Sequence, residues 1–109
     1  MELRVLRYFL AVAREQNITR AAEALHVTQP TLSKQLMDLE EELGQKLFVR
    51  GKRKVTLTEA GEFLRRRAQE IAELADKTEE AFRKTDGEIS GDIWIACGET
   101  EGMRILVRA

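Results

Sequence analysis

Cysteine, proline, histidine, tryptophan and tyrosine each occur once in the 109 residues, and each scarcity excludes something. The lone Cys97 can close no internal disulfide and offers no cysteine metal cluster, so a cytoplasmic protein is expected. A sensor role for Cys97 competes with that of a small packing residue in a strand. The lone His26 has no evident nucleophile or metal partner, which argues against an enzyme; no cofactor and no metal are expected. No apolar run reaches the length of a membrane span. Residues 1–13 superficially resemble a secretory signal, with Ala11-Val12-Ala13 in place of a cleavage site. Glu2 ahead of the run and Arg7 inside it argue against that reading. Gly98-Glu99-Thr100-Glu101-Gly102 lacks both the spacing and the lysine of a phosphate loop.

What is present is apolar residues at 43%, enough for one small core, and charge at 34% with a net of −1. That charge is unevenly spread. Lys and Arg outnumber Asp and Glu over residues 1–58, and the reverse holds over 59–87 and 88–109. Because salt screens charges beyond about 8–10 Å, the local field of the first part matters more than the total.

The stretch 17–37 reads as two short helices around a tight turn. Thr19 is the expected N-cap of the first, followed by a small apolar stripe of Ala21, Ala22 and Leu25. His26-Val27 ends it. Thr28 is the expected N-cap of the second helix, with Pro30 in its first turn, where a missing N–H is harmless. Leu32, Leu36, Leu39 and Leu43 form one seam of that helix. Pro30, Ser33, Lys34 and Met37 lie opposite, with Gln29 at the edge. An apolar back and a small, polar, basic front suit a DNA major groove, although a surface helix of any small bundle has a similar pattern. Glu40-Glu41-Glu42 is expected to be a solvated face, and Gly44 a helix stop.

Ahead of this pair, residues 2–16 form an amphipathic helix whose apolar half is Val5, Leu6, Phe9, Leu10, Val12 and Ala13. After it, Leu47-Phe48-Val49-Arg50 and Val55-Thr56-Leu57 flank Gly51-Lys52-Arg53-Lys54 as a hairpin with a basic tip, Gly51 permitting the turn. Thr58 then caps a helix running to about Asp86, roughly 43 Å at about 1.5 Å per residue. Leu64, Ala68, Ile71, Ala75, Thr78 and Phe82 repeat along it as a coiled-coil seam, which implies a partner chain. Ile93-Trp94-Ile95-Ala96 and its neighbours alternate like a strand.

The run Ala21-Ala22-x-x-Leu25-His26-Val27-Thr28-Gln29-Pro30-Thr31-Leu32-Ser33 resembles the LysR-type bacterial transcriptional regulators. Leu39-Glu40-x-x-Leu43-Gly44-x-x-Leu47-Phe48-x-Arg50 and Leu57-Thr58-x-Ala60-Gly61 extend the match in one register from Leu6 to about Leu64. Lys34 departs from the family's usual arginine: it keeps the charge and loses the planar fork. The resemblance implies a mostly α fold. A winged helix-turn-helix domain would occupy 1–58, with the helix-turn-helix at about 18–37 and the wing at about 46–57. A linker and dimerisation helix would follow at 59–87, pairing antiparallel with its copy, and 88–109 would begin an effector-binding domain.

It also implies double-stranded DNA as partner, bound by a homodimer, with a tetramer open for a full-length protein. Two recognition helices would enter successive major-groove segments of a partly palindromic site. The expected DNA contacts are Thr19, Thr28, Gln29, Pro30, Thr31, Ser33 and Lys34, joined by Arg50, Lys52 and Arg53 on the wing. Thr100 would lie in an inducer-binding loop. A helical interaction module without DNA affinity is the competing class, and the basic wing argues against it.

Overall fold

In the computed structural model, residues 1–84 are described. The expected strand around 91–98 and the expected effector residue Thr100 lie outside them. Two compact units are distinguished, Met1–Glu73 and Leu74–Ala109. The first holds the domain, and the described part of the second, residues 74–84, is helical.

Four helices and two strands follow in the order α1 (Leu3–Glu15), α2 (Ile18–Leu25), α3 (Gln29–Leu43), β1 (Phe48–Arg50), β2 (Val55–Leu57) and α4 (Glu59–Lys84). The core is the meeting of α1, α2 and α3. Val5, Leu6, Phe9, Ala11 and Val12 from α1 pack with Ile18, Ala21 and Ala22 from α2 and with Leu32, Leu36 and Leu39 from α3. Ala21 and Ala22, both buried, let α2 come close to its neighbours. Ala11 joins the core although the expected stripe of α1 passed over it. The leucine seam of α3 stops one turn early: Leu43 is 40% exposed, because the helix runs on past the core before Gly44 ends it.

The helix ends have separate causes. Gln16 and His26, neither a glycine, close α1 and α2 in the left-handed region at φ 55° and 59°. Gly44 closes α3 at φ 71°, the backbone region where glycine carries no Cβ penalty. The start of α2 corrects the expected cap. Asn17, not Thr19, holds the N-cap, and its Oδ1 accepts the Arg20 N–H at 2.8 Å. Ile18 is buried, which seats the first turn two residues earlier than the position of Thr19 requires.

Strands β1 and β2 pair antiparallel, with Phe48 opposite Leu57 and Arg50 opposite Val55. Two three-residue strands are marginal alone. Here they are fastened at the base. Phe48 lies 5.3 Å, centroid to centroid, from Phe9 in the core. The Val55 N–H donates to the Gln16 carbonyl at 2.9 Å. The Thr58 N–H donates to the Leu47 carbonyl at 3.0 Å, and the Thr58 hydroxyl to the Lys46 carbonyl at 2.6 Å. Thr58 also caps α4 as expected, accepting the Gly61 N–H at 3.0 Å. At the tip, the Gly51 N–H donates to the Lys54 carbonyl. Gly51 serves the turn by close approach and not by a left-handed backbone: a Cβ there would sit 2.9 Å from that carbonyl oxygen.

Helix α4 corrects a second expectation. Leu64 and Ala68 are buried in the domain's own core, so two of the six expected seam positions are already covered within the chain. Ile71 is 40% and Phe82 58% exposed, and Phe63 and Leu74, outside the expected seam, are exposed as well. No helix among the described residues is long and apolar enough to cross a membrane.

Gly61 lies where α4 passes the base of the wing, and a Cβ there would overlap the Leu47 carbonyl oxygen. Alanine normally gains about 1 kcal/mol over glycine in a helix. Against backbone it forces a shift instead, and overpacking costs about 1–3 kcal/mol. Gly61→Ala is therefore expected to lower stability, read as a fall in the denaturation midpoint in urea. An unchanged or higher midpoint would mean that the helix moves freely away from the wing.

Candidate nucleic-acid interface

The front of α3 is built by its own cap. The Thr28 hydroxyl oxygen accepts the Thr31 N–H at 3.3 Å and lies 2.8 Å from the Thr31 hydroxyl. That fixes the first turn and turns Gln29, Pro30 and Thr31 outward, all exposed. Lys34 follows one turn on and is exposed, and Met37 is 57% exposed in the next turn. Ser33 is half-buried, so it presents less of its hydroxyl than its neighbours do. Thr19 is exposed on α2. The expected contacts of the helix-turn-helix therefore gather on the first turns of α3, with Thr19 on the preceding helix.

The second group is the wing. Arg50, Lys52, Arg53 and Lys54 are all exposed. Residues 24–37 and 43–58 contain no aspartate or glutamate, so both candidate elements lack acid within their own segments. Free cations on a rigid base suit phosphate, which needs charge more than shape.

Two residues of the region escaped sequence reasoning. Asp38 Oδ2 lies 3.3 Å from Lys34 Nζ, an exposed i,i+4 pair. Such pairs contribute little, about 0.3–0.5 kcal/mol, so Lys34 remains available to a stronger anion. The spacing of the two residues was the available signal. Glu40 is the other, and it corrects the solvated-face reading of Glu40-Glu41-Glu42. Its Oε2 accepts the Leu47 N–H at 2.8 Å and the Phe48 N–H at 3.4 Å. Glu41 and Glu42 remain exposed. Within the run itself nothing marks the first glutamate; the motif Leu39-Glu40-x-x-Leu43-Gly44, which leaves Glu41 and Glu42 open, was the available signal.

An open groove of about 660 Å³ runs between α1, β2 and α4, lined by Leu10, Arg14, Val55, Leu57, Arg65 and Gln69 among others. Glu62 holds Arg65 at 3.1 Å and Glu15 holds Arg14 at 3.3 Å, so the groove's arginines are already paired. No group of acidic, histidine or cysteine side chains that could hold a metal ion occurs among the described residues.

Residues 3–62 match the family model of bacterial regulatory helix-turn-helix proteins of the lysR family. The HTH-type transcriptional regulator BudR of Klebsiella aerogenes is 50% identical over 95 residues, 87% of this chain and 66% of that protein. The Hca operon transcriptional activator HcaR of Escherichia coli (strain K12) is 55% identical over 84 residues, 77% of this chain and 28% of that protein. The chain thus spans only part of the length of these relatives. Among solved structures, the BenM_DBD/catB site 1 DNA complex superposes with TM-score 0.76 at 43% identity, covering 79% of this chain and 96% of that one. The CbnR_DBD-DNA complex gives TM-score 0.72 at 42% identity, covering 77% and 97%.

The observed cap of α2 and the expected one, Asn17 and Thr19, are separable by mutation. Losing a capping side chain costs about 1 kcal/mol. Asn17→Ala should lower the thermal midpoint measurably, and Thr19→Ala should leave it nearly unchanged. The opposite order would return the cap to Thr19.

Proposed function

Since the chain belongs to the lysR family of bacterial regulatory helix-turn-helix proteins, we propose that it binds a partly palindromic DNA site as a homodimer. It carries the winged helix-turn-helix DNA-binding domain of a transcriptional regulator, a family of regulators and not of enzymes. One observation supports the DNA reading most: an acid-free first half of α3 with an exposed front, positioned by the Thr28 cap, in a chain whose hairpin carries four exposed cations. Gln29, Pro30, Thr31 and Lys34 face the major groove in this reading, with Ser33 reaching it from a half-buried position. Gln29 has the donor and acceptor pair that adenine takes, and Pro30 an apolar surface for a thymine methyl. Thr19, Thr28, Arg50, Lys52 and Arg53 contact phosphate.

The domain limits belong to the same proposal: 1–58 binds DNA, 59–87 links and dimerises, and 88–109 opens an effector-binding domain with Thr100 near its inducer. So do a cytoplasmic location and a tetramer for a longer chain. The dimer interface is narrower than periodicity alone implies. Leu64 and Ala68 pack inward, so Ile71, Ala75, Thr78 and Phe82 carry the partner contact.

Each phosphate contact removed lowers the slope of log affinity against log salt by about 0.9. Arg53→Ala should show that fall and weaken random and specific duplex by similar factors in gel shifts. Unchanged affinity and slope for both duplexes would take the wing out of the interface.

Ile71→Asp would place a charge against apolar surface, which is costly unless it is paired. Light scattering should then find monomers, with operator affinity strongly reduced because half-sites bind separately. A variant that stays dimeric would move the interface off α4.

A further inference from the structure

We propose that Glu40 is the positioning residue for the wing, the link by which the recognition helix sets where the wing cations meet DNA. The inference rests on the DNA-binding reading above and adds a residue to it. Glu40 sits near the end of α3 and holds the following chain at three points. Its backbone carbonyl accepts the Gln45 N–H at 3.1 Å, and its carboxylate accepts the Leu47 N–H at 2.8 Å and the Phe48 N–H at 3.4 Å. The chain between α3 and β1 is thereby folded back on the helix that precedes it.

The other fastenings of the wing's base come from elsewhere: Gln16 at the end of α1, Thr58 at the start of α4, and Phe9 in the core. Glu40 brings in α3, the element that enters the groove. Charged acceptors make the stronger hydrogen bonds. Leu47 is 1% exposed, so its N–H has no easy replacement for the carboxylate.

The consequence is a lever. From Phe48 to the tip at Gly51 is roughly 10 Å at about 3.3 Å per strand residue. A tilt of about 10° at the base would move the tip by about 2 Å, more than the tolerance of a hydrogen bond to phosphate, about 0.5 Å. Lys52 and Arg53 would then miss phosphates that α3 has already placed. Glu40 itself touches no DNA in this scheme. It acts through the cations at the far end of the hairpin.

Two substitutions separate reach from charge. Glu40→Asp keeps the charge and withdraws the carboxylate by one methylene. Glu40→Gln loses the charge and keeps an acceptor oxygen at the same reach. Both are read as the log–log salt slope of binding to a random-sequence duplex by the whole chain, beside the double variant Lys52→Ala/Arg53→Ala. The double variant should lower the slope by about 1.8, at about 0.9 per contact. Glu40→Asp should lower it by up to the same amount, and should add nothing further in the double-variant background. Glu40→Gln should keep the parent slope.

A parent slope for Glu40→Asp, with the double variant reduced, overturns the role of Glu40 and leaves the DNA-binding wing standing. So does a reduced slope for Glu40→Gln, or a Glu40→Asp effect that persists in full without the wing cations. An unchanged slope in the double variant would overturn the wing reading and the inference together. A change in melting temperature alone moves none of these slopes, so a merely structural Glu40 gives a different result.

Discussion

The structure depends on how Leu47 is held on every side. Its side chain is buried, its N–H goes to the Glu40 carboxylate, its carbonyl takes the Thr58 N–H, and beside that carbonyl only a residue without a Cβ fits. Three elements meet there: the end of α3, the entry to the wing and the first turn of α4. A residue with both backbone groups bonded and its side chain in the core cannot slide, so the register of the wing follows from it. Phe48 then falls against Phe9, and the hairpin inherits the position of the core. Two short strands that would be marginal alone become a fixed arm.

Much of this was legible, for reasons that can be named. Thr28 before Gln29-Pro30 could be read because cap and proline signals coincide at one helix start, and Gly44 because it follows the last apolar position of α3. The hairpin could be read because its two β-prone runs flank a basic turn. The errors fall where two signals of equal strength compete or where the answer is tertiary. Asn17 and Thr19 are both good caps, and only the burial of Ile18 decides between them. The seam of α4 was periodic, but period does not say which turns of a helix lie over their own domain. Leu64 and Ala68 do, and Ile71 does not. Gly51 was legible as permitting the turn, but not the reason, which is close approach to the Lys54 carbonyl. Glu40 stood in the motif Leu39-Glu40-x-x-Leu43-Gly44, but its role could not be read, because its partners are backbone groups, which every residue carries.

The charge distribution resolves the tension of a DNA-binding domain on a chain with net charge −1. Helix α3 has its open face at one end and Glu41 and Glu42 at the other. Its 15 residues span roughly 22 Å at about 1.5 Å each. That is more than two screening lengths of about 8–10 Å in physiological salt. Acid at the far end therefore weakens the field at Gln29 to Thr31 very little, while Lys34, about 10–12 Å from Glu41 and Glu42 at about 1.5 Å per residue, lies about one screening length away. Asp38 is the exception, one turn from Lys34 and in contact with it. An exposed pair of this kind is weak enough to break when DNA arrives, so it costs little in affinity. Glu40 is likewise tolerated between the exposed front of α3 and a cationic wing. Its charge is taken up by two backbone N–H groups, and in the proposed interface what it contributes is direction. Affinity for phosphate comes from cations left free in solvent. The place where they act comes from a carboxylate that is not free, and a small domain can hold both because the two ends of one short hairpin separate them.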